Sequence, residues 1–323
     1  MRTEFNWGII GLGKIAHKFA EDLARMPNTK LHAVASRSLA KAEAFQQQYG
    51  ATHAYGSYEH ITSCPDLDAV YIATPHSAHC ANTILCLKHQ IPVLCEKPLA
   101  LNSTEAQKMI AAAHEHHTFL MEALWTRFLP TTQKILELIE ADTIGAIHTV
   151  KADFGFKPIF DSSSRLFDPA LGGGALLDIG IYPVFLAYLL LGTPKTIQAS
   201  VFKGATGVDE EVGMLFQYAG GQMAHLHTSL RAKTKTEAFI YGEKGTIHLH
   251  GRWHEPTSFS LLLPEQRPEL FHFEWPTNGY SYEAQEVMQA VRNEQKESKL
   301  WTLQQSLDLM QLLDDVKASW VME

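Results

Sequence analysis

Glu96-Lys97-Pro98 sets a lysine directly behind a short apolar run, Ile91–Cys95, and a second run, Ala69–Ala73, ends likewise in Thr74-Pro75-His76. Val, Ile and Tyr enrichment with little alternation suits parallel strands buried on both faces. Ala78–Gln90 between them is long enough for a crossover helix, so the stretch reads βαβ. Such sheets bind ligands at the carboxyl ends of their strands, and both polar clusters therefore point at one site. A lysine in that place can take a proton from a substrate hydroxyl once burial or a nearby positive charge disfavours its ammonium form. Far along the chain, Asp178 and Tyr182 stand four residues apart, a spacing that shares a face on a continuous helix. A phenol can donate to or accept from a hydroxyl and relay its proton. Pro183 complicates the pairing, because it removes a helix hydrogen bond and can kink the segment or open a new first turn.

The start of the chain carries a different chemistry. Phe5–Ile10 is an apolar strand candidate that runs into Gly11-Leu12-Gly13-Lys14-Ile15-Ala16 and then a helical pattern to Met26. This G-x-G-x-x-A follows a strand and opens a helix, as a dinucleotide fingerprint requires. Gly11 permits the tight turn, Gly13 lets the backbone approach a pyrophosphate, and Ala16 keeps the helix close to the sheet. The first helical turn, with Lys14 and Ile15, offers N–H donors and the positive end of the dipole. A second strand, Lys30–Ala35, ends in Ser36-Arg37-Ser38, with Lys41 one turn into the next helix. An NAD-preferring fold places an acidic residue there for the ribose 2′-hydroxyl. A hydroxyl and a guanidinium suit a 2′-phosphate instead, so NADP(H) is expected in preference to NAD(H).

The elements that must position these groups alternate regularly at first. Leu39–Tyr49 is helical, Ala54-Tyr55 a short strand, Ala106–Glu115 a helix capped by Asn102 or Ser103, and Phe119–Ala123 a further strand. This alternation implies a doubly wound α/β domain over residues 1–123. Thr131–Ile139 has helical spacing, and Ile147–Phe154 alternates with His148, Val150, Ala152 and Phe154 on one face. Gly172-Gly173-Gly174 introduces Ala175–Pro183 and an apolar segment to Leu191. Six strand candidates follow, Thr196–Phe202, Val212–Tyr218, Gln222–Ser229, Glu237–Tyr241, Thr246–His250 and Ser258–Leu263, separated by turn signals. Strands in succession without helices between them imply a mostly antiparallel sheet. Tyr282–Glu294 and Thr302–Val321 read as closing helices. The second domain, 124–323, is set off by pattern change alone.

Composition narrows the partners. A net charge of −8 and a pI near 6.1 argue against affinity for nucleic acid or anionic membrane. The N-terminal apolar run is too short for a signal peptide, and Val184–Leu191 falls far short of a membrane span. Cys64, Cys80, Cys86 and Cys95 lack CxxC spacing and read as reduced thiols, which favours the cytoplasm. The 17 histidines include the strand pairs His225/His227 and His248/His250 and a cluster at His114, His116 and His117. No third ligand stands at a fixed spacing, so no metal is expected.

GLGKIA, ASRS, YIATPHSAH, CEKPLALN, MEALWTRF and GGGALLDIGIYP together resemble the Gfo/Idh/MocA family of NAD(P)-dependent oxidoreductases, and FLMEALWTRFLP, GGALLDIGIY and Ser281-Tyr282-Glu283-Ala284 its dimeric dihydrodiol dehydrogenases, which also oxidise D-xylose with NADP. The resemblance implies hydride transfer between NADP(H) and a secondary alcohol of a sugar or cyclic diol. It also implies a second domain whose large sheet often forms a homodimer interface. Lys97 and Tyr182 are then the acid/base pair, with Asp178 orienting Lys97 or binding substrate. Thr74, Pro75, His76, His79 and Glu96 belong to loops that meet the cofactor, although many relatives have asparagine at the place of His76. Trp125 and Phe154 suit the flat walls of a substrate pocket, with core packing the other reading for Phe154. Arg127 fits either a cofactor phosphate or a structural ion pair. A competing expectation is a non-catalytic NADP(H) sensor on the same fold, which would be expected to lack Lys97 or its partner.

Overall fold

Phe5–Ile10 is buried along its whole length and forms β1, at the centre of a six-stranded sheet in a computed structural model that describes residues 4–321. The chain ends 1–3 and 322–323, which the two expected domains include, lie outside the described residues. After β1 come α1 (Lys14–Leu23), β2 (Thr29–Ala35), α2 (Leu39–Tyr49), β3 (His53–Tyr55), β4 (Ala69–Ile72), α3 (His79–Lys88), β5 (Val93–Glu96), α4 (Ser103–Glu115) and β6 (Leu120–Ala123). The strands are all parallel in the order β3-β2-β1-β4-β5-β6. That is the doubly wound arrangement, with its switch point between β1 and β4. Trp7 of β1 meets Phe19 of α1 edge-on, and Phe19 stacks on Tyr71 of β4 at 3.9 Å, so the crossover helix is fixed by aromatic packing. The loops after β1, β2, β4 and β5 leave the same edge of the sheet.

After a short 3₁₀ turn at Trp125–Phe128, α5 (Pro130–Glu140) begins with proline in its first turn, where a missing N–H costs nothing. A second sheet is built from β7 (Ile147–Gly155), β8 (Thr196–Lys203), β9 (Asp209–Gln217), β10 (Met223–Ser229), β11 (Ala238–Gly242), β12 (Thr246–Leu249), β13 (Phe259–Leu262) and β14 (Glu269–Phe271). Its order is β14-β13-β12-β11-β7-β10-β9-β8, with β15 (Trp320–Val321) beside β8. Pairing is antiparallel except for β7 with β10 and β8 with β15. The expected mostly antiparallel sheet is therefore present, with two short strands that the sequence pattern does not reveal.

Between β7 and β8 the chain runs through a π turn, Leu176–Gly180, into α6 (Ile181–Leu191). The helix is thus not uniform where Asp178 and Tyr182 lie. Pro183 has no N–H to close the ordinary bond four residues back, and a π turn is one way for a helix to absorb that loss. Counted from the preceding turns, the helical run Pro169–Leu191 has 23 residues and includes an 18-residue window of mean hydropathy 1.9, long and apolar enough by length and composition to cross a membrane. The apolar segment is thus longer than Val184–Leu191. Most of its apolar window, 78%, is buried inside the protein.

The chain divides into two compact units, Met1–Phe128 with Trp275–Leu307, and Leu129–Glu274 with Asp308–Glu323. A boundary at 124 assigns everything after it to the second domain, whereas α7 (Tyr280–Arg292) and the start of α8 (Leu303–Ala318) group with the first unit. The amide nitrogens of Tyr280 and Ser281 donate to Asp22 Oδ2 of α1 at 2.8 and 3.1 Å, and Leu120 N of β6 donates to the Lys296 carbonyl at 3.1 Å. Helical periodicity reports which face of α7 is apolar, not which sheet that face covers.

Candidate functional site

Gly11 stands at the end of β1 with φ +89°, and a Cβ there would lie 2.8 Å from the Ala73 carbonyl group and Thr74 Cγ2. Only glycine lets the β1 turn lie against the loop after β4. Gly13 is the N-cap of α1, and the space its Cβ would fill is open to at least 4 Å. No side chain caps α1 and no acidic residue stands in its first turn. Gly13 and Lys14 are exposed and Ile15 half-buried, while Ala16 is fully buried against the sheet. An exposed, uncapped helix start beside a glycine without a neighbour fits a dinucleotide pyrophosphate. At the end of β2, Ser36 is buried and its Oγ accepts from Ser38 N at 3.3 Å, while Ser38 caps α2. Arg37 and Lys41 extend into solvent there.

The loop after β5 is held from several directions. Lys97 is half-buried and precedes a cis peptide to Pro98. The Glu96 carboxylate accepts from Lys97 N at 3.1 Å through one oxygen and from the Tyr71 hydroxyl through the other. Glu96 thus buttresses the loop from its own strand end. Glu122 of β6, fully buried, accepts from Leu99 N at 2.9 Å and from the Trp301 indole at 3.1 Å. Burial raises the Glu122 carboxyl above its ordinary range, against the opposing effect of these bonds and of the Lys97 charge. Glu283 of α7 is also fully buried, and burial, then the charges of Glu96 and Asp22, hold its carboxyl well above the usual carboxylate range.

His79 was expected to meet the cofactor, and the structure gives its side chain another task. The ring is fully buried, with Nδ1 2.9 Å from the Pro98 carbonyl and Nε2 2.9 Å from the Thr74 carbonyl. It ties the loop after β4 to the loop after β5. Thr74 is itself buried and its hydroxyl accepts from Asn82 at 3.4 Å. His76 is buried with its ring 5.7 Å from that of His79, and Pro75 just before it is half-buried. Trp125, predicted as a pocket wall, is buried and stacks on Tyr280 at 4.5 Å. Arg127 is buried beside the opposing charge of Glu286, and burial lowers its pKa.

In the second unit, Asp178 and Tyr182 are both buried, one on the π turn and one in the first turn of α6. Arg165 donates to Asp178 Oδ1 at 2.7 Å, so the carboxylate is charge-paired. Gly174, with φ +118°, leaves room for Asp209, whose Oδ2 accepts from Leu176 N at 2.6 Å at the head of the π turn. Phe154 lies 5.8 Å from the Tyr182 ring, and His254 fills the remaining side, 4.8 Å from Tyr182 and 4.0 Å from Phe154. The phenol thus stands among aromatic rings. Arg165, Glu122 and His254 escape sequence reasoning. Arg165 lies in a polar loop, Glu122 in an apolar strand, and His254 after a tryptophan in a turn, and none has a diagnostic spacing. The strand histidines face other partners: His227 contacts Glu211 at 3.0 Å, His248 approaches Glu237 at 3.5 Å, and His250 meets Ser258 and Ser260 at 2.8 and 3.0 Å.

Residues 5–124 match an oxidoreductase family with an NAD-binding Rossmann fold, and residues 132–248 match the Gfo/Idh/MocA C-terminal domain. Over 318 residues the chain is 36% identical to trans-1,2-dihydrobenzene-1,2-diol dehydrogenase of Xenopus tropicalis, covering 96% of both chains. It is 35% identical over 322 residues to the Homo sapiens protein of that name, covering 96% of this chain and 95% of the other. A 3-ketoreductase from Actinomadura kijaniata, solved with NADP and TDP-benzene, has a TM-score of 0.88 at 25% identity, with 98% of each chain covered. Aldose-aldose oxidoreductase from Caulobacter crescentus shares the fold with a TM-score of 0.89 at 24% identity over 98% and 97% of the two chains. The chain belongs to the Gfo/Idh/MocA family of oxidoreductases.

Proposed function

We propose that the protein is an NADP(H)-dependent dehydrogenase that interconverts a secondary alcohol and its carbonyl on a cyclic diol or sugar. The observation that carries this reading is that the half-buried Lys97, after β5, and the open cradle of Gly13, after β1, leave the same edge of one parallel sheet. The relatives named dihydrodiol dehydrogenase, similar along 96% of the chain, support the substrate class. Exposed Arg37 and Lys41 at the end of β2 support NADP(H) over NAD(H).

The bound nicotinamide supplies the hydride acceptor in the oxidative direction. Gly11, Gly13, Lys14 and Ile15 hold the pyrophosphate, and Ser36, Arg37 and Lys41 take the 2′-phosphate. Lys97 Nζ and Tyr182 Oη form the acid/base pair that takes the hydroxyl proton as the carbonyl forms. Asp178, ion-paired with Arg165, orients the substrate or the lysine. The rings of Phe154 and His254 present a flat apolar wall beside the phenol.

We further propose a homodimer through the outer face of the second sheet. A hollow of about 890 Å³ lies there, lined by Lys151, Gln198, Met214, His225, Glu237 and Phe239 among others, and the exposed Phe202 beside it carries the Arg231 guanidinium at 3.8 Å. Four free thiols support a reducing compartment, the cytoplasm.

The test is a panel of cyclic diols and aldoses assayed by NADPH fluorescence with the parent, Lys97→Met and Tyr182→Phe proteins. Turnover by the parent, lost in both variants with NADPH affinity retained, is the expected result. Tight NADPH binding without turnover of any substrate points to a sensor instead, and unchanged turnover in Lys97→Met removes the lysine from the chemistry.

A further inference from the structure

Spacing along the chain gives no metal site, yet the fold assembles three metal-binding side chains that no sequence motif connects. His32 of β2, His53 of β3 and Cys64, which follows a 3₁₀ turn at His60–Ser63, bring one ligand atom each to within 4.8 Å of one another. His32 and Cys64 are buried, and His53 is half-buried, so the group opens to solvent on the His53 side. The two imidazoles meet edge-on with centroids 4.9 Å apart. Zn²⁺ in a tetrahedral site takes histidine nitrogen at about 2.0–2.1 Å and thiolate sulfur at about 2.3 Å, which spaces the ligand atoms roughly 3.3–3.8 Å apart. Closing the present separations to that spacing takes movements on the order of 1 Å, within the reach of side-chain rotation.

The surroundings of His32 favour the same role. His32 Nε2 lies 3.1 Å from the Pro65 carbonyl, which must accept and so puts the proton on Nε2 and the lone pair on Nδ1. Metal-bound histidines donate their second ring N–H to a carbonyl in this manner. Two imidazoles and a thiolate suit a borderline-soft divalent cation, whereas Mg²⁺ and Ca²⁺ require oxygen donors.

We propose that His32, His53 and Cys64 bind a Zn²⁺-like cation, with water in the fourth position, and so fasten β3 and the turn before Cys64 to β2. When the ion binds, the S–H bond of Cys64 breaks, its proton leaves to solvent, and the sulfur lone pair forms the metal–sulfur bond with no change of oxidation state. His32 lies about 13 Å along β2 from Ser36, the first residue after it. Ser36 N bonds the Tyr55 carbonyl at 3.1 Å, which joins the end of the clamped β3 to the segment bearing Arg37.

The untagged full-length protein, stripped with a chelator, is titrated with Zn²⁺ alone by calorimetry and with Co²⁺ by absorption. One tight site per chain is expected, with a thiolate-to-cobalt charge-transfer band and a thermal midpoint raised by the metal. In Cys64→Ser the band disappears, and in both Cys64→Ser and His53→Gln the Zn²⁺ affinity falls at least tenfold. A chelator-treated melt of each variant checks folding, and His53→Gln, at the half-buried position, carries the test should Cys64→Ser not fold. Absence of the band in the parent, or equal Zn²⁺ affinity in parent and variants, overturns the site and assigns any binding to surface histidines. Neither readout depends on catalysis.

Discussion

Glu122 shows how much of the placement of Lys97 falls to side chains on neighbouring strands. Its two oxygens take Leu99 N and the Trp301 indole, and Glu96 takes Lys97 N and the Tyr71 hydroxyl, so the segment around Lys97 is bonded on both sides. Glu122→Ala leaves two buried donors unpaired and is expected to cost about 2–4 kcal/mol, read from urea unfolding. Glu122→Gln, which keeps one acceptor, should lose less. At the cofactor, Arg37→Ala should weaken NADPH roughly 10–100-fold in a fluorescence titration while NADH changes little, since only NADPH offers a 2′-phosphate. Equal loss for both cofactors, or none, would count against a 2′-phosphate contact for Arg37. Lys97 and the glycines are legible in sequence because strand ends and turns have local signatures. Glu122 and Arg165 are not, because their partners are brought to them by the fold from 23 and 13 residues away.

The π turn before α6 is the element whose geometry the sequence least reveals. Asp178 and Tyr182 keep their four-residue spacing, but the helix between them changes type, with Asp209 of β9 fixing the head of the turn through Leu176 N. Burial pushes the Asp209 carboxyl up to about 6 from an ordinary 3.8. The folded state therefore holds this proton more tightly than the unfolded chain. That contribution to stability is full below the ordinary value and is lost as pH rises through about 6, a difference on the order of 3 kcal/mol. Asp209→Asn, which retains an acceptor for Leu176 N, should show no such loss, so the parent-minus-variant difference in unfolding free energy should fall across that interval. A difference independent of pH would mean that Asp209 titrates normally. β1, α2, β8 and β10 are legible to within a residue, whereas β9 begins three residues before its apolar pattern starts. β14 and β15 are too short for a two-residue period to register, and β15 follows a helical pattern that masks it.

At the scale of the whole molecule, chain order and unit order diverge. The first unit takes back Trp275–Leu307, and Asp22, Leu120 and Glu122 each bond into that returning segment. A fragment ending at Phe128 lacks these partners and should fail to unfold cooperatively in urea. The same fragment joined by a flexible linker to 275–307 should unfold in a single transition and bind NADPH. Cooperative unfolding of the shorter piece would show that the returning helix is dispensable. The two sheets follow from pattern, but the assignment of α7 does not, since an amphipathic helix fits either apolar surface equally well in sequence.

The same return has a bearing on synthesis. A ribosome that adds about 5–20 residues per second needs roughly 7–30 s to make the chain between Phe128 and Trp275. Throughout that interval the nascent nucleotide-binding sheet is complete in strands, yet Asp22 has no helix to cap and Glu122 no indole to accept from. Vectorial folding of this protein thus closes its first-made unit nearly last, and the half-finished sheet is the species that chaperones would meet.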